Sequence, residues 1–98
     1  MSEEELPEEE VEEELEDLEI WGVQFGRLAT RVEFDDYSNA VEFANLVFEV
    51  SSGRGQKPEV EVSGDAVEID VWTPDVGITG EDIELASDIE EALRDLDL

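Results

Sequence analysis

The side chains able to do chemistry in this chain are carboxylates, hydroxyls and five cations, because its 98 residues include no histidine and no cysteine. That absence excludes imidazole acid–base catalysis, thiol nucleophiles, disulfides and metal sites built on His or Cys. Proton transfer would have to use a carboxylate or the single lysine, Lys57, which serves as a base at neutral pH only where burial disfavours its charged form. The Glu8–Glu10 run contains oxygen ligands, but without a rigid loop it is interpreted as a solvated face. We predict no metal and no cofactor.

Two of the five basic residues, Arg54 and Lys57, fall in the short stretch 51–58, beside Gly53 and Gly55. Backbone N–H groups and cations together form concave sites for anions, so this stretch suits an anion-binding site. The same two cations would also complement a helix dipole if a helix ends just before them. The sequence leaves both interpretations open.

The charge balance is extreme, with 31 acidic and five basic residues and a formal net charge of −26. Twelve of the acids lie in the first nineteen residues. In about 1 M salt the Debye length is roughly 3 Å, so repulsion between surface carboxylates is largely screened. We therefore predict a halophilic, cytoplasmic protein. The same charge disfavours binding to nucleic acid and to anionic membranes.

The chain is long enough for one domain. Residues 1–9 are predicted to be an acidic disordered tail and residues 10–98 a single domain. No apolar run approaches the roughly 20 residues of a membrane span, and the first residues lack the basic and apolar segments of a signal peptide. Without disulfides, the fold has to rest on a small apolar core, an oligomer interface or both.

Apolar periodicity predicts three helices and four strands. In chain order these are a helix at about 8–18, strands at 20–25 and 28–34, a helix from 36 to about 51, a loop at 51–58, strands at 59–62 and 67–72, and a helix after Thr79. Asp35 or Asp36 caps the second helix, Gly53 ends it, and Thr79 forms a capping box with Asp82. The order α-β-β-α-β-β-α predicts an α+β fold with helices packed on an antiparallel sheet.

Several short motifs occur in one register in the second half of the chain: Gln56-Lys57-Pro58, Trp72-Thr73-Pro74 and Asp82-Ile83-Glu84-Leu85-Ala86. This set resembles the pterin-4a-carbinolamine dehydratase family, where a His-His-Pro loop, Trp-Thr-His and Asp-Ile-x-Leu-Ala hold these places. The 17 residues from Lys57 to Pro74 match the family interval. The resemblance implies a four-stranded antiparallel sheet with three helices on one face. It also implies a homodimer or homotetramer, formed by joining sheets and packing helices.

By the same resemblance, a pterin pocket would be formed by Gln56, Lys57, Pro58, Trp72, Thr73 and Pro74. The family reaction removes water from a 4a-hydroxytetrahydropterin, so one proton leaves a ring nitrogen and another joins the departing hydroxyl. The family places three histidines around the pterin, and their positions hold Gln56, Lys57 and Pro74 here. We therefore expect dehydratase activity to be lost or reduced while pterin binding is retained. Trp72 and Trp21 fit core or interface positions, and the alternative is a stacking platform for the pterin.

Three functions stay open at this point. The first is a dehydratase with substitute acid–base groups, for which Lys57 and Asp75 are the candidates and Asp70 and Glu61 are further ones. The second is a pterin-binding module without catalysis, in which Arg54 and Lys57 would hold an anionic group such as the phosphate of a phosphorylated pterin. The third is a non-enzymatic dimerisation or protein-interaction module that uses a sheet edge and the central helix.

The charge pattern makes the first testable prediction. Removing salt should unfold the protein or dissociate its oligomer, because unscreened carboxylates destabilise the compact state. Circular dichroism melts from low to molar KCl should show Tm rising with salt. A Tm that is indifferent to KCl would contradict the halophilic interpretation.

Overall fold

The computed structural model describes residues 4–96, so the predictions made for residues 1–3 and 97–98 lie outside it. Its elements are α1 (Glu8–Leu15), β1 (Gly22–Gln24), β2 (Arg27–Glu33), α2 (Tyr37–Arg54), β3 (Glu59–Ser63), β4 (Ala66–Val71) and α3 (Gly80–Asp95). The predicted order α-β-β-α-β-β-α is confirmed. Among the described helices, none has the length and apolar character needed to cross a bilayer.

The four strands form one antiparallel sheet in the order β1-β2-β4-β3. Because successive side chains of a strand point to opposite faces, the pairing of Leu28 with Val71 and of Thr30 with Ile69 places three apolar side chains and the buried Thr30 on one face. We call this the inner face. The opposite, open face has Arg31 opposite Glu68, with charged side chains in contact with solvent.

The helices cover the inner face. α2 buries Phe43, Ala44 and Val47, and α3 buries Leu85 and Ile89 against the strands. Val11 of α1 joins the same apolar cluster, so all three helices pack on one face of the sheet, as predicted. This burial is the main favourable term for a chain without disulfides.

Two predicted element boundaries at the N-terminal end are wrong. The first helix ends at Leu15, and the next residues continue as tight turns, with the Leu18 N–H donating to the Leu15 carbonyl at 3.0 Å. The first strand spans only Gly22–Gln24, because the Ile20 N–H bonds a side chain and Phe25 turns the chain with a positive φ. The predicted helix start at Glu8 is confirmed.

The end of α2 also differs from the prediction. Residues 51–54 were predicted to be loop, yet they continue the helix, and the Ser51 hydroxyl donates to the Val47 carbonyl at 2.7 Å within it. Gly53 stays helical, and Gly55 ends the helix in the left-handed conformation at φ 75°. Gly53 and Gly55 can both adopt the left-handed conformation that ends a helix. The sequence therefore does not show which of the two ends α2.

The buried carboxylate of Glu90 holds the segment between α1 and β1 against α3. The Glu90 side chain accepts the N–H groups of Glu19, at 2.9 Å, and of Ile20, at 3.1 Å. It also accepts a 2.6 Å bond from Arg94 one helical turn later, while only 3% of the Glu90 side chain is exposed. Three donors therefore compensate the burial of this charge.

We predict that Glu90→Ala lowers the free energy of unfolding by about 2–3 kcal/mol, because it leaves two backbone N–H groups and Arg94 without their acceptor. Glu91→Ala is the matched control, since Glu91 is exposed on the same helix and its loss removes the same charge. Urea unfolding at one fixed KCl concentration measures both. Equal effects of the two substitutions would show that Glu90 contributes only its charge.

Candidate functional site

A groove opens where the loop after α2, the end of β4 and the start of α3 meet. We call it the site groove. It has a volume of about 180 Å³ and is lined by Gly55, Gln56, Lys57, Trp72, Thr73, Pro74 and Asp82. The pairing of β3 with β4 brings the two motifs together, because Glu59 at the start of β3 lies opposite Asp70 near the end of β4. Five of the six residues predicted to form a pterin pocket thus lie around one groove.

The sixth, Pro58, lines a hollow that adjoins the site groove. This hollow has a volume of about 470 Å³ and shares Gly55, Gln56 and Lys57 with the groove. Its other walls come from the last turns of α2, where Phe48 is half exposed. Pockets for small organic ligands usually hold about 300–1,000 Å³. The groove alone is small for such a ligand, and the groove together with the hollow falls within that range.

The buried carboxylate of Asp82 joins three segments around the groove. One oxygen accepts the Thr79 N–H at 3.0 Å and the Thr73 hydroxyl at 2.9 Å, and the other accepts the Gln56 side-chain amide at 3.2 Å. The predicted capping box of Thr79 and Asp82 is confirmed. The sequence does not show that the same carboxylate also holds Gln56 and Thr73 and forms a wall of the groove. Its role as a cap already explained the residue, so no further signal was visible.

The wall after β4 is a tight turn. The Thr73 N–H donates to the Gly77 carbonyl at 2.8 Å, and the Gly77 N–H donates back at 2.9 Å. Asp75 lies within this turn at φ 67°, exposed, and is not among the residues that line the groove. Its role as a substitute acid or base stays a prediction.

Lys57 differs from the four arginines in its electrostatic surroundings. Each arginine contacts two carboxylates: Arg27 contacts Glu59 and Asp70, Arg31 contacts Glu33 and Glu68, Arg54 contacts Glu84 and Asp88, and Arg94 contacts Glu19 and Glu90. Within residues 4–96, Lys57 makes no ion pair, although it is exposed and lines the groove. It is therefore the cation most available to an anionic ligand.

Arg54, the other predicted anion-binding residue, is turned toward α3. Its guanidinium contacts Asp88 at 2.7 Å and Glu84 at 3.3 Å, and it lines neither the groove nor the adjoining hollow. The hydrogen bond to Asp88 raises the pKa of Arg54 above its ordinary value. The structure therefore does not bring Arg54 and Lys57 together, because residues 51–54 are helix rather than loop.

Trp72 is half-buried at the edge of the groove, and its ring is covered by the Arg27 guanidinium at 3.7 Å. Arg27 also bridges to Glu59 at 3.3 Å, so the stack joins the end of β4 to the start of β3. Trp21, in contrast, belongs to the buried core, as predicted. The cation–π contact links β2 to β4, two strands whose register cannot be read from the sequence.

The other candidate acids lie elsewhere. Asp70 and Glu61 line a hollow on the open face of the sheet, together with Glu68, rather than the site groove. Within residues 4–96, no cluster of three acidic side chains is arranged to hold a metal ion.

The comparisons with known proteins agree with one another. The sequence model for "Pterin 4 alpha carbinolamine dehydratase" matches residues 4–92. A relative from Acidobacterium capsulatum, provisionally named a pterin-4-alpha-carbinolamine dehydratase, is 33% identical over 85% of this chain and 91% of its own. One from Sulfurisphaera tokodaii, with the same provisional name, is 33% identical over 90% and 96%. The crystal structure of a transcriptional coactivator/pterin dehydratase from Brucella melitensis superposes with a TM-score of 0.81, at 26% identity, over 89% of this chain and 96% of that one.

Proposed function

This chain belongs to the pterin-4a-carbinolamine dehydratase family, and on that premise we propose that it binds a reduced pterin in the site groove and catalyses the family's dehydration slowly or not at all. The observation that carries the proposal is a groove lined by Trp72 and Thr73, which match the family motif, and by Gln56, Lys57 and Pro74, which stand at the positions of the family's three histidines. The geometry supports binding more directly than it supports turnover.

The groups around the groove suit the chemistry of a pterin. A pterin is a flat heteroaromatic ring with amide-type donors and acceptors on its edge. Gln56 and Thr73 offer polar groups already oriented by Asp82, so little side-chain entropy is lost when a ligand arrives. Trp72 offers an apolar ring at the edge of the groove. Oriented polar groups beside an aromatic surface are the usual composition of a small-molecule site.

The groove lacks well-placed groups for the proton transfers of the family reaction. Dehydration needs one group to take a proton from the ring nitrogen and another to protonate the leaving hydroxyl. Among the residues lining the groove, only Lys57 and Asp82 have titratable side chains. The Asp82 carboxylate already accepts bonds from Thr73, Thr79 and Gln56, and Lys57 is exposed, so nothing strips its ammonium of water. Of the three positions at which the family has a histidine, only that of Lys57 holds a titratable side chain here.

Lys57 suits a different task, which is to hold an anionic substituent of the pterin. It is exposed at the point where the groove meets the adjoining hollow, and within residues 4–96 no carboxylate neutralises it. A phosphate ester on the pterin side chain would supply the matching charge. We therefore extend the proposal to a phosphorylated pterin as the preferred ligand.

A second candidate function is a dimerisation or protein-interaction module. Phe48 on α2 is 50% exposed and lies beside β3, an edge strand of the sheet. An edge strand next to an exposed aromatic favours association through the sheet edge and α2, as a homodimer or homotetramer. The Brucella relative is described as a transcriptional coactivator as well as a pterin dehydratase.

The proposal also covers the cellular compartment and the salt concentration in which the protein works. The net charge of −26 supports a cytoplasm with molar salt and argues against nucleic acid or an anionic membrane as a partner.

The decisive experiment is an anaerobic titration with tetrahydrobiopterin in molar KCl, paired with an assay of 4a-hydroxytetrahydropterin dehydration. We expect saturable binding and a dehydration rate at least about 100-fold below that of a variant with the imidazoles restored, Gln56→His/Lys57→His/Pro74→His. Both proteins should bind the pterin, because Asp82, Thr73 and Trp72 remain in each.

Each other outcome of this pair of measurements selects a different function. A wild-type rate well above that of the uncatalysed reaction and equal to that of the triple variant would show that substitute groups catalyse the reaction. Absence of pterin binding, with a stable oligomer by sedimentation equilibrium, would select the interaction module. If the triple variant does not fold, the wild-type titration and rate still decide between binding and turnover.

The anion-binding role of Lys57 has its own test. Lys57→Ala should weaken binding of a phosphorylated tetrahydropterin by about fivefold, the worth of one charge pair near the surface, and leave the unphosphorylated compound unaffected. Arg54→Ala removes the same charge three residues away and should change neither affinity, since Asp88 and Glu84 already hold that guanidinium. If the two variants weakened binding of the phosphorylated compound equally, Lys57 would act only through the net charge of the protein.

A further inference from the structure

The hairpin between β1 and β2 exposes a large aromatic side chain at its tip. Phe25 is 94% exposed and has a φ of 55°, and Gly26 follows at 74°. Positive φ at both central residues is what a type I′ turn requires, and asparagine or glycine adopts it with less strain than phenylalanine. Phenylalanine at this position therefore strains the backbone and exposes an aromatic ring to solvent, and no contact within residues 4–96 offsets either effect. Strained backbone and exposed apolar side chains concentrate at binding surfaces.

Beside this tip lies a second groove, which we call the hairpin groove. It has a volume of about 320 Å³ and is lined by Glu5, Leu6, Glu8, Val11, Glu12, Val23, Gly26 and Ile78. Its floor is apolar, formed by the buried Val11 and Ile78 together with Leu6, whose N–H donates to the Ile78 carbonyl at 2.8 Å. Val23 of β1, half exposed, also lines the groove. Phe25 does not line the groove, but its neighbour Gly26 does, so the tip adjoins the groove.

The rim of this groove carries charge that the protein does not compensate. Glu5, Glu8 and Glu12 are exposed, and within residues 4–96 none of them contacts a basic side chain. The open face of the sheet is different, because its carboxylates are interleaved with Arg27 and Arg31. An apolar floor with a wholly anionic rim complements a ligand that is apolar at its centre and cationic at its ends.

We propose that the hairpin groove and Phe25 form a docking site for a basic segment of another protein, in which one or two large apolar side chains are flanked by Lys or Arg. The apolar side chains would cover Val11, Ile78 and Phe25, and the cations would meet the three rim carboxylates. A second copy of this chain fits less well, because it would bring three more carboxylates to the same rim. The hairpin groove and the site groove share no lining residue, although Ile78 directly follows the Thr73–Gly77 turn beside the site groove.

The test uses the full chain and a fluorescein-labelled peptide, Gly-Lys-Lys-Leu-Phe-Lys-Lys-Gly, followed by anisotropy at the lowest KCl concentration that keeps the chain folded. Phe25→Asn should weaken binding by about tenfold, because it removes the aromatic surface and retains a residue that the turn accepts. Tyr37→Asn, at another exposed aromatic, is the control and should have no effect.

A pair of charge variants tests the rim. Glu8→Gln/Glu12→Gln should weaken binding several-fold, whereas Glu9→Gln/Glu13→Gln, which removes the same charge from other positions of the same helix, should leave it within about twofold. Equal effects of the two pairs would overturn the proposal in favour of diffuse charge attraction. Binding of a peptide with Ser-Ser in place of Leu-Phe at equal affinity would do the same. Dissociation of a self-assembled wild-type oligomer by Phe25→Asn would show that the groove is occupied by a second copy.

Discussion

The inner face of the sheet excludes water only if no uncompensated charged side chain lies on it. This constraint determines where the carboxylates of the chain lie. Phe43, Leu85 and Ile89 cover the strands, while nearly all the acids face solvent. Among residues 4–96 two carboxylates are buried, those of Asp82 and Glu90, and each is compensated by several donors. Burying an ionised carboxylate without such partners would cost more than a core this small can offset. Each of these two carboxylates therefore also holds together, through its hydrogen bonds, segments that lie far apart in the sequence.

The basic residues follow from the same constraint. With 31 acids and five bases, an arginine placed anywhere on the surface meets carboxylates, and all four arginines do so twice. Exposed ion pairs of this kind add little stability individually. Their effect is to neutralise local repulsion and to hold neighbouring elements in register, as Arg54 does between α2 and α3. Lys57 is the exception within residues 4–96, and it lines the site groove.

The frame of the site groove does not depend on the groups that would carry out the family reaction. Asp82 holds Gln56, Thr73 and the first turn of α3 through hydrogen bonds that need no imidazole. The tight turn from Thr73 to Gly77 is closed by backbone bonds alone. A groove built in this way keeps its shape when the proton-transfer groups are replaced. The retention of Thr73 and Trp72 thus agrees with binding and says little about turnover.

The sequence by itself determined the element order, the capping box of Thr79, the family and the two motifs that line the groove, because periodicity, capping and motif spacing are local properties of the chain. It left the cap of α2 open between Asp35 and Asp36, and the structure selects Asp36. It did not determine that α2 continues to Arg54, since Gly53 and Gly55 have the same conformational freedom and only the packed structure selects one. Nor did it show that Arg54 pairs with α3, that Asp82 holds Gln56, or that Asp70 and Glu61 face away from the groove. Those facts depend on strand register and helix docking, and contacts between residues far apart in sequence exist only once the sheet and helices have packed.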